Sequence, residues 1–124
     1  MQKRILVVDD SASTRRLVRA FIESRPGLEV CGEAADGVEG IQKCRELKPD
    51  LIVLDFSMPR LNGLEAAKVL HEIIPKTPIV LFTYYKGIIP GQLAQEIGVT
   101  SIVSKGDQLT ALADEVQRLI AGPN

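Results

Sequence analysis

The stretch LIVLDFSMPRLNG, residues 51–63, decides the fold. It begins with four apolar residues in a row, and a continuous apolar run of this kind is typical of a strand that is buried on both faces of a parallel sheet. The run ends at Asp55, and the pair Asn62-Gly63 marks a turn that begins a helical pattern. The stretch therefore predicts a strand, a polar loop at its carboxyl end and a following helix.

The rest of the chain repeats this alternation of element types. Apolar runs predict strands at 5–8, 28–34, 51–54, 78–82 and 101–103. Apolar residues at helical spacing predict helices at 11–24, 38–47, 63–74, 90–97 and 108–121. Five such βα units predict a single doubly wound α/β domain with a parallel five-stranded sheet. We expect the flavodoxin-like strand order 2-1-3-4-5, in which the first and third strands are neighbours.

Composition supports one ordinary globular domain. The chain has 124 residues, of which 45% are hydrophobic and 25% charged, and its 15 basic residues nearly balance its 16 acidic ones. A near-neutral chain has no global basic field, so direct binding of nucleic acid by this chain is not expected. We predict that the domain spans residues 1–121 and that 122–124 form a tail or the start of a linker.

The sequence also predicts a cytoplasmic protein that does not enter a membrane. The N-terminus has only four apolar residues before two aspartates, too few for a signal-peptide core. No apolar run approaches the roughly 18 residues of a membrane span. Cys31 and Cys44 form no disulfide framework and no Cys-x-x-Cys pair, so they are predicted to be small buried hydrophobic residues in a reducing compartment.

Polar residues stand where four of the five predicted strands end. Asp9 and Asp10 follow the first strand, Asp55 follows the third, Thr83 closes the fourth and Lys105 follows the fifth. Ligands of open α/β sheets bind beyond the carboxyl ends of the strands, so these side chains should converge. Three close carboxylates need a neutralising partner, and a hard divalent cation such as Mg²⁺ fits oxygen ligands and phosphate. The pattern predicts a Mg²⁺-assisted phosphoryl site.

With these motifs the chain resembles the receiver domains of two-component response regulators. The resemblance covers essentially the whole chain, and Asp55-x-x-Met58-Pro59-x-x-Asn62-Gly63 is its most specific part. It implies that Asp55 is the phosphoacceptor for a phosphoryl group held on a histidine. It implies further roles for the other site residues: Asp10, Asp55 and the backbone carbonyl of Ser57 bind Mg²⁺ directly, Asp9 acts through water, Lys105 binds a phosphate oxygen and Thr83 swings to bind another.

Three positions depart from the family pattern. Ile102 stands three residues before Lys105, where receivers usually have an aromatic switch residue. Gly106 replaces the usual proline after the lysine, and Tyr84 replaces the usual small residue after the switch threonine. We therefore expect that Tyr84 either shields the site from water or takes over the switch role that Ile102 cannot fill.

The resemblance also implies partners and an output. The phosphodonor would be a sensor histidine kinase or a phosphotransfer protein, and the output surface would lie on the fourth helix, fifth strand and fifth helix. A homodimer and a C-terminal DNA-binding domain beyond this chain are open alternatives for the output. The segment at 84–89 has four large apolar or aromatic residues, which either form a partner surface or, for Ile88 and Ile89, pack into the core. His71 is predicted to be a plain surface residue of its helix. Three arginines of the first helix are predicted to form a solvated face or, as the resemblance also implies, part of a kinase-docking surface: Arg15, Arg16 and Arg19.

Other function classes fit less well. A Mg²⁺-dependent phosphohydrolase of the haloacid-dehalogenase type is the alternative, since it also uses an aspartate nucleophile at a strand end; that family has Asp-x-Asp, whereas Asp9 and Asp10 are adjacent. A nucleotide-binding protein would have a glycine-rich phosphate loop after a strand, and none is present. A phosphorylation-independent interaction module would not need the acidic residues and Lys105. We therefore expect a phosphoacceptor switch that is not an enzyme acting on other molecules.

Overall fold

A computed structural model describes residues 2–58 and 61–121 of the chain. Five parallel strands form one sheet in the order β2-β1-β3-β4-β5, as predicted. The strands are β1 (Lys3–Val8), β2 (Leu28–Ala34), β3 (Leu51–Leu54), β4 (Ile79–Thr83) and β5 (Ser101–Ser104). The helices are α1 (Ala12–Glu23), α2 (Gly37–Leu47), α3 (Gly63–Ile73), α4 (Gly91–Ile97) and α5 (Leu109–Ala121), with a 3₁₀ turn at Lys86–Ile88. The predicted tail at 122–124 and Pro59 of the sequence motif lie outside the described residues.

The sheet is covered by helices on both faces, which explains the continuous apolar runs. Alternate residues of each strand point to opposite faces. On one face Leu6, Ile52 and Leu81 pack with residues of α2, α3 and α4, and on the other Ile5, Val53 and Val80 pack with residues of α1 and α5. The strands β2 and β3 have the predicted bounds, and the other three differ from the prediction by one or two residues. Strand β4 extends through Thr83, whose carbonyl accepts from the amide of Lys105.

Local contacts set where the helices near the site begin. Ser11 caps α1, because its hydroxyl accepts from the amide of Thr14 at 3.2 Å. Asn62 and Glu65 form a reciprocal capping box at the start of α3. Both caps lie in loops that follow a strand with a site aspartate, so they fix the loops that carry those aspartates.

Two of the expected buried or surface positions turn out differently. Cys44 is buried, but Cys31 is partly exposed, because β2 is an edge strand and Cys31 is the extra residue of a bulge between the Ile5–Val30 and Leu6–Gly32 pairs. His71 is half-buried and its ring packs so tightly on Gly98 that a Cβ there would overlap it. Among the described helices, none is long and apolar enough to cross a membrane.

Candidate functional site

Three aspartates meet at the carboxyl edge of the sheet. Asp9 and Asp10 follow β1 and Asp55 follows β3, and the two strands are paired, with the amide of Asp55 donating to the carbonyl of Val8 at 2.9 Å. One carboxylate oxygen of each aspartate lies within 4.8 Å of those of the other two. Asp9 and Asp55 are buried, and Asp10 is exposed. The strand order thus brings together side chains that are 45 residues apart in sequence, from Asp10 to Asp55.

Lys105 is the cation of this site. Its Nζ atom lies 2.7 Å from Oδ2 of Asp9 and 3.3 Å from Oδ2 of Asp55. Its backbone amide donates to the carbonyl of Thr83 at 2.9 Å, which fixes the start of the β5–α5 loop against the end of β4. A largely buried ammonium between two carboxylates offsets part of the repulsion among the three aspartates.

The electrostatics of the pocket appear in two shifted pKa values. Burial and the neighbouring charge of Asp9 raise the pKa of Asp55, and the ammonium of Lys105 offsets this only in part. Burial by itself would lower the pKa of Lys105, but the hydrogen bond to Asp9 and the charges of both carboxylates raise it overall. Lys105 therefore stays positively charged at neutral pH.

The donor set of this pocket fits a hard divalent cation. Three carboxylates within ligand distance of one another supply oxygen ligands, and one ammonium leaves two of their three negative charges uncompensated. Asp10 is exposed, so an ion can reach the cluster from solvent. The backbone of Ser57 lies beside the cluster, since its amide faces Oδ1 of Asp55 at 3.4 Å. Mg²⁺, which keeps several waters and needs only one or two carboxylates, is compatible with such a site.

Thr83 lies fully buried at the end of β4, and its hydroxyl already has a partner. Its Oγ1 atom accepts a hydrogen bond from the amide of Tyr85 at 3.0 Å. The hydroxyl hydrogen remains available to donate elsewhere, because a hydroxyl both donates and accepts. The side chain of Thr83 is thereby linked to the backbone of the loop that follows it.

Gly63 closes the loop that follows Asp55. Its amide donates to the carbonyl of Phe56 at 2.7 Å. A Cβ at this position would overlap the main-chain oxygen of Asp55 and the Cα of Phe56. The start of α3 is therefore in direct contact with the backbone of Asp55, and only glycine permits that approach.

Several contacts at the site were not predicted from the sequence. The rings of Tyr84 and Phe82 lie 5.7 and 5.8 Å from Nζ of Lys105. Arg15 donates to the main-chain oxygen of Asp9 and pairs with Glu33, so the prediction of a solvated side chain is wrong for Arg15. The sequence signal for Arg15 was its place in the first turns of α1, from which a long side chain can reach back to the preceding loop.

The 84–89 segment is divided between surface and core. Tyr84 is 74% exposed and Ile88 is 73% exposed, whereas Ile89 is only 8% exposed. Tyr85 packs on Phe56 with a centroid distance of 5.8 Å. The alternative that both isoleucines pack into the core is therefore correct for Ile89 and wrong for Ile88.

Comparisons with known proteins agree on one family. A family model described as the response regulator receiver domain matches residues 5–117. A protein-glutamate methylesterase/protein-glutamine glutaminase of Pyrococcus abyssi is 46% identical over 80 residues, which are 64% of this chain and 22% of that protein. The chemotaxis protein CheY of Thermotoga maritima is 42% identical over 81 residues, 65% of this chain and 67% of that protein. The match thus spans less than a quarter of the methylesterase.

A solved structure gives the same result over the full length. The structure of a LuxR-family two-component response regulator from Aurantimonas sp. SI85-9A1 superimposes with a TM-score of 0.92 at 32% identity. The superposition covers 100% of this chain and 89% of that one.

Proposed function

This chain belongs to the response regulator receiver domain family, and from that premise we propose that it is a switch controlled by phosphorylation of Asp55. The observation that carries the proposal is the buried carboxylate of Asp55, which the ammonium of Lys105 bridges to the carboxylate of Asp9 at the edge where the strands end. The donor would be a histidine kinase or a phosphotransfer protein.

In the proposed reaction, a carboxylate oxygen of Asp55 attacks the phosphorus of a phosphohistidine. The new O–P bond forms as the N–P bond breaks, and the electron pair of the broken bond returns to the imidazole. The product is an acyl phosphate, which water later hydrolyses to restore the carboxylate. Transfer of this kind needs positioning and charge neutralisation more than covalent chemistry.

The other site residues would bind and orient the phosphoryl group. Lys105 lies 3.3 Å from Oδ2 of Asp55, so its ammonium can reach an oxygen of a phosphoryl group attached there. Asp10, Asp55 and the carbonyl of Ser57 would hold Mg²⁺, with Asp9 acting through water. Mg²⁺ would supply neutralisation of the charge that the phosphoryl oxygens bring to an already acidic pocket.

Thr83 would pass the change to the surface. When its hydroxyl donates to the phosphoryl group, the hydrogen bond from the amide of Tyr85 to the same oxygen moves with it. The 84–89 segment is therefore drawn toward the site without help from an aromatic residue at Ile102, which packs against the core. We propose that the resulting change alters the surface formed by α4, β5 and α5.

The output of this surface is proposed as binding to another protein or domain. The relatives include a methylesterase, a chemotaxis protein and a LuxR-family regulator. Self-association and control of a further domain, DNA-binding or enzymatic, are the forms that such an output would take. A phosphohydrolase of the haloacid-dehalogenase type, in contrast, would act on free substrate.

The experiment is phosphorylation by a small phosphodonor with Mg²⁺, followed by intact-mass measurement. We expect a gain of about 80 Da, one phosphoryl group per chain, and no gain in Asp55→Asn. Asp107→Asn, which makes the same chemical change at an exposed loop position, should still gain the group. An equal gain in Asp55→Asn would refute the assignment, and continued multiple turnover of the donor would favour the phosphohydrolase.

A further inference from the structure

Arg15 connects three elements at the edge of the acidic cluster. It lies in α1, and its side chain is 17% exposed. Its Nη1 atom donates to the main-chain oxygen of Asp9 at 2.6 Å, and its Nε atom donates to Oε1 of Glu33, in β2, at 3.0 Å. The planar guanidinium can make both bonds at once because its donors are held in a fixed fork.

The hydrogen bond from Arg15 is one of four in the described part of the chain that hold Asp9 in place. The amide of Asp9 donates to Ala34, Oδ1 accepts from Ser11 and Oδ2 accepts from Lys105. Among the described residues, only Arg15 donates a hydrogen bond to the carbonyl oxygen of Asp9. That oxygen belongs to the peptide between Asp9 and Asp10, so Arg15 sets the orientation of this peptide.

The position of the Asp10 carboxylate depends on the orientation of this peptide more than the positions of the Asp9 and Asp55 carboxylates do. Within residues 2–58 and 61–121, the carboxylate of Asp10 has no hydrogen bond or ion pair of its own, whereas Asp9 and Asp55 are both held by Lys105. The direction in which Asp10 points is therefore set by its backbone. Arg15 holds the peptide that precedes Asp10, and Oδ1 of Asp9 holds the amide of Ser11 that follows it.

We propose that Arg15 is a positioning residue for cation binding: together with Glu33 it holds the Asp9–Asp10 peptide so that the carboxylate of Asp10 faces the cluster. This inference rests on the proposed function, because it concerns the site that would hold Mg²⁺. Partners that orient metal ligands commonly change metal affinity by about 10- to 100-fold when they are removed.

The positive charge of Arg15, taken alone, predicts the opposite effect of its removal on cation affinity. A guanidinium beside a cation site repels the incoming ion, so removal of Arg15 would tighten cation binding if its charge were what mattered. Loss of positioning weakens binding instead. A purely structural role would lower the melting temperature and leave the Mg²⁺ affinity unchanged. Weaker, tighter and unchanged Mg²⁺ binding therefore distinguish a positioning role, an effect of charge alone and a purely structural role.

Arg19 supplies a matched control. It lies one turn further along α1 and pairs with the other oxygen of the same Glu33, at 2.8 Å, but it makes no hydrogen bond to Asp9. Arg19→Gln removes the same charge from the same helix face as Arg15→Gln. The two variants differ in the contact with the Asp9 carbonyl.

The test measures Mg²⁺ affinity of the unphosphorylated chain by calorimetry, with melting temperatures in parallel. We expect roughly tenfold weaker binding in Arg15→Gln and a change of less than about twofold in Arg19→Gln. Arg15→Lys keeps the charge but cannot make both bonds, and should fall between the wild type and Arg15→Gln. Wild-type or tighter affinity in either Arg15 variant overturns the inference, so the Lys variant decides the matter if the Gln variant fails to fold.

The outcome also separates this inference from the proposed function. A wild-type chain that binds no Mg²⁺ overturns both the metal site and the role of Arg15. Mg²⁺ affinity that is the same in the wild type and the Arg15 variants overturns the inference alone. Weaker binding in the Arg15 variants, with no phosphorylation of Asp55 in the wild type, would uphold the role of Arg15 and refute the switch.

Discussion

Nζ of Lys105 lies 5.7 Å from the centroid of the Tyr84 ring. Tyr84 is largely exposed, so the ring lies beside the ammonium at the surface rather than in the core. An acyl phosphate on Asp55 would be hydrolysed by water that approaches from the open side of the pocket. We propose that the ring, beside a cation that contacts Asp55, limits the approach of both water and small phosphodonors.

Tyr84→Ala should shorten the lifetime of the phosphorylated chain. A tenfold faster decay corresponds to a barrier change of about 1.4 kcal/mol, which one side chain can supply. The same variant should accept phosphoryl groups from a small donor faster. Timed decay after removal of the donor measures this. Tyr85→Ala is the control, because Tyr85 packs on Phe56; equal half-lives in wild type and Tyr84→Ala would contradict shielding.

Asp55→Asn should stabilise the fold at neutral pH in metal-free buffer. Folding raises the pKa of Asp55, chiefly through burial, so the folded state binds a proton more readily than the unfolded state. Stability from this group is present below the ordinary carboxyl pKa and is lost as pH rises through the raised value. Each unit of the shift costs the wild type about 1.4 kcal/mol above that range.

The measurement is thermal unfolding of wild type and Asp55→Asn from acid to neutral pH. The advantage of the variant should shrink as pH falls and vanish once Asp55 is protonated in both states. Asp107→Asn, at an exposed position, should show no such trend. If Asp55→Asn is the less stable protein at pH 7, the attraction of Lys105 outweighs the cost of burial.

Gly63→Ala should both destabilise the chain and slow phosphorylation. The added methyl group would overlap the backbone of Asp55 and Phe56, and backbone yields less than a flexible side chain. Overpacking of this kind costs about 1–3 kcal/mol. Gly91→Ala is a matched control, since Gly91 also begins a helix but faces open space. Equal unfolding free energies and phosphorylation rates in the two variants would show that the contact is readily relieved.

Phosphorylation should change hydrogen exchange mainly at residues 84–89. When the Thr83 hydroxyl also donates to the phosphoryl group, the hydrogen bond that it accepts from the amide of Tyr85 should strengthen, so exchange of that amide should slow. A gain of about 1 kcal/mol in that bond corresponds to roughly fivefold slower exchange. Thr83→Ala removes the acceptor and should abolish the difference. Changes confined to other segments would rule out this route to the surface.

The sequence predicted the parts of the site that backbone topology fixes. Parallel strands with a known order place their carboxyl ends at one edge, so Asp9, Asp55 and Lys105 had to converge there once the strands were recognised. Which face each strand residue occupies also follows from alternation. Predicting which residues meet at the strand ends needed no knowledge of side-chain conformation.

What the sequence left open depends on the reach of individual side chains. Arg15 and Glu33 are 18 residues apart, and their contact follows from how α1 packs beside β2. The division between Ile88 and Ile89 depends on a short 3₁₀ turn that no apolar spacing indicates. Cys31 is partly exposed, contrary to the prediction, because a single extra residue in an edge strand leaves no mark in a hydrophobic run.

The close contact between Gly63 and the backbone of Asp55 limits how the loop between these two residues can change in evolution. Surface loops are ordinarily where chains gain and lose residues. Here Gly63 contacts the backbone of Asp55, so an insertion or deletion that breaks this contact would shift either Asp55 or the first turn of α3. We expect the eight-residue interval from Asp55 to Gly63 to stay constant in length while its side chains vary. The constant spacing between Asp55 and Gly63 would then serve to align the sequences of distant relatives of this chain.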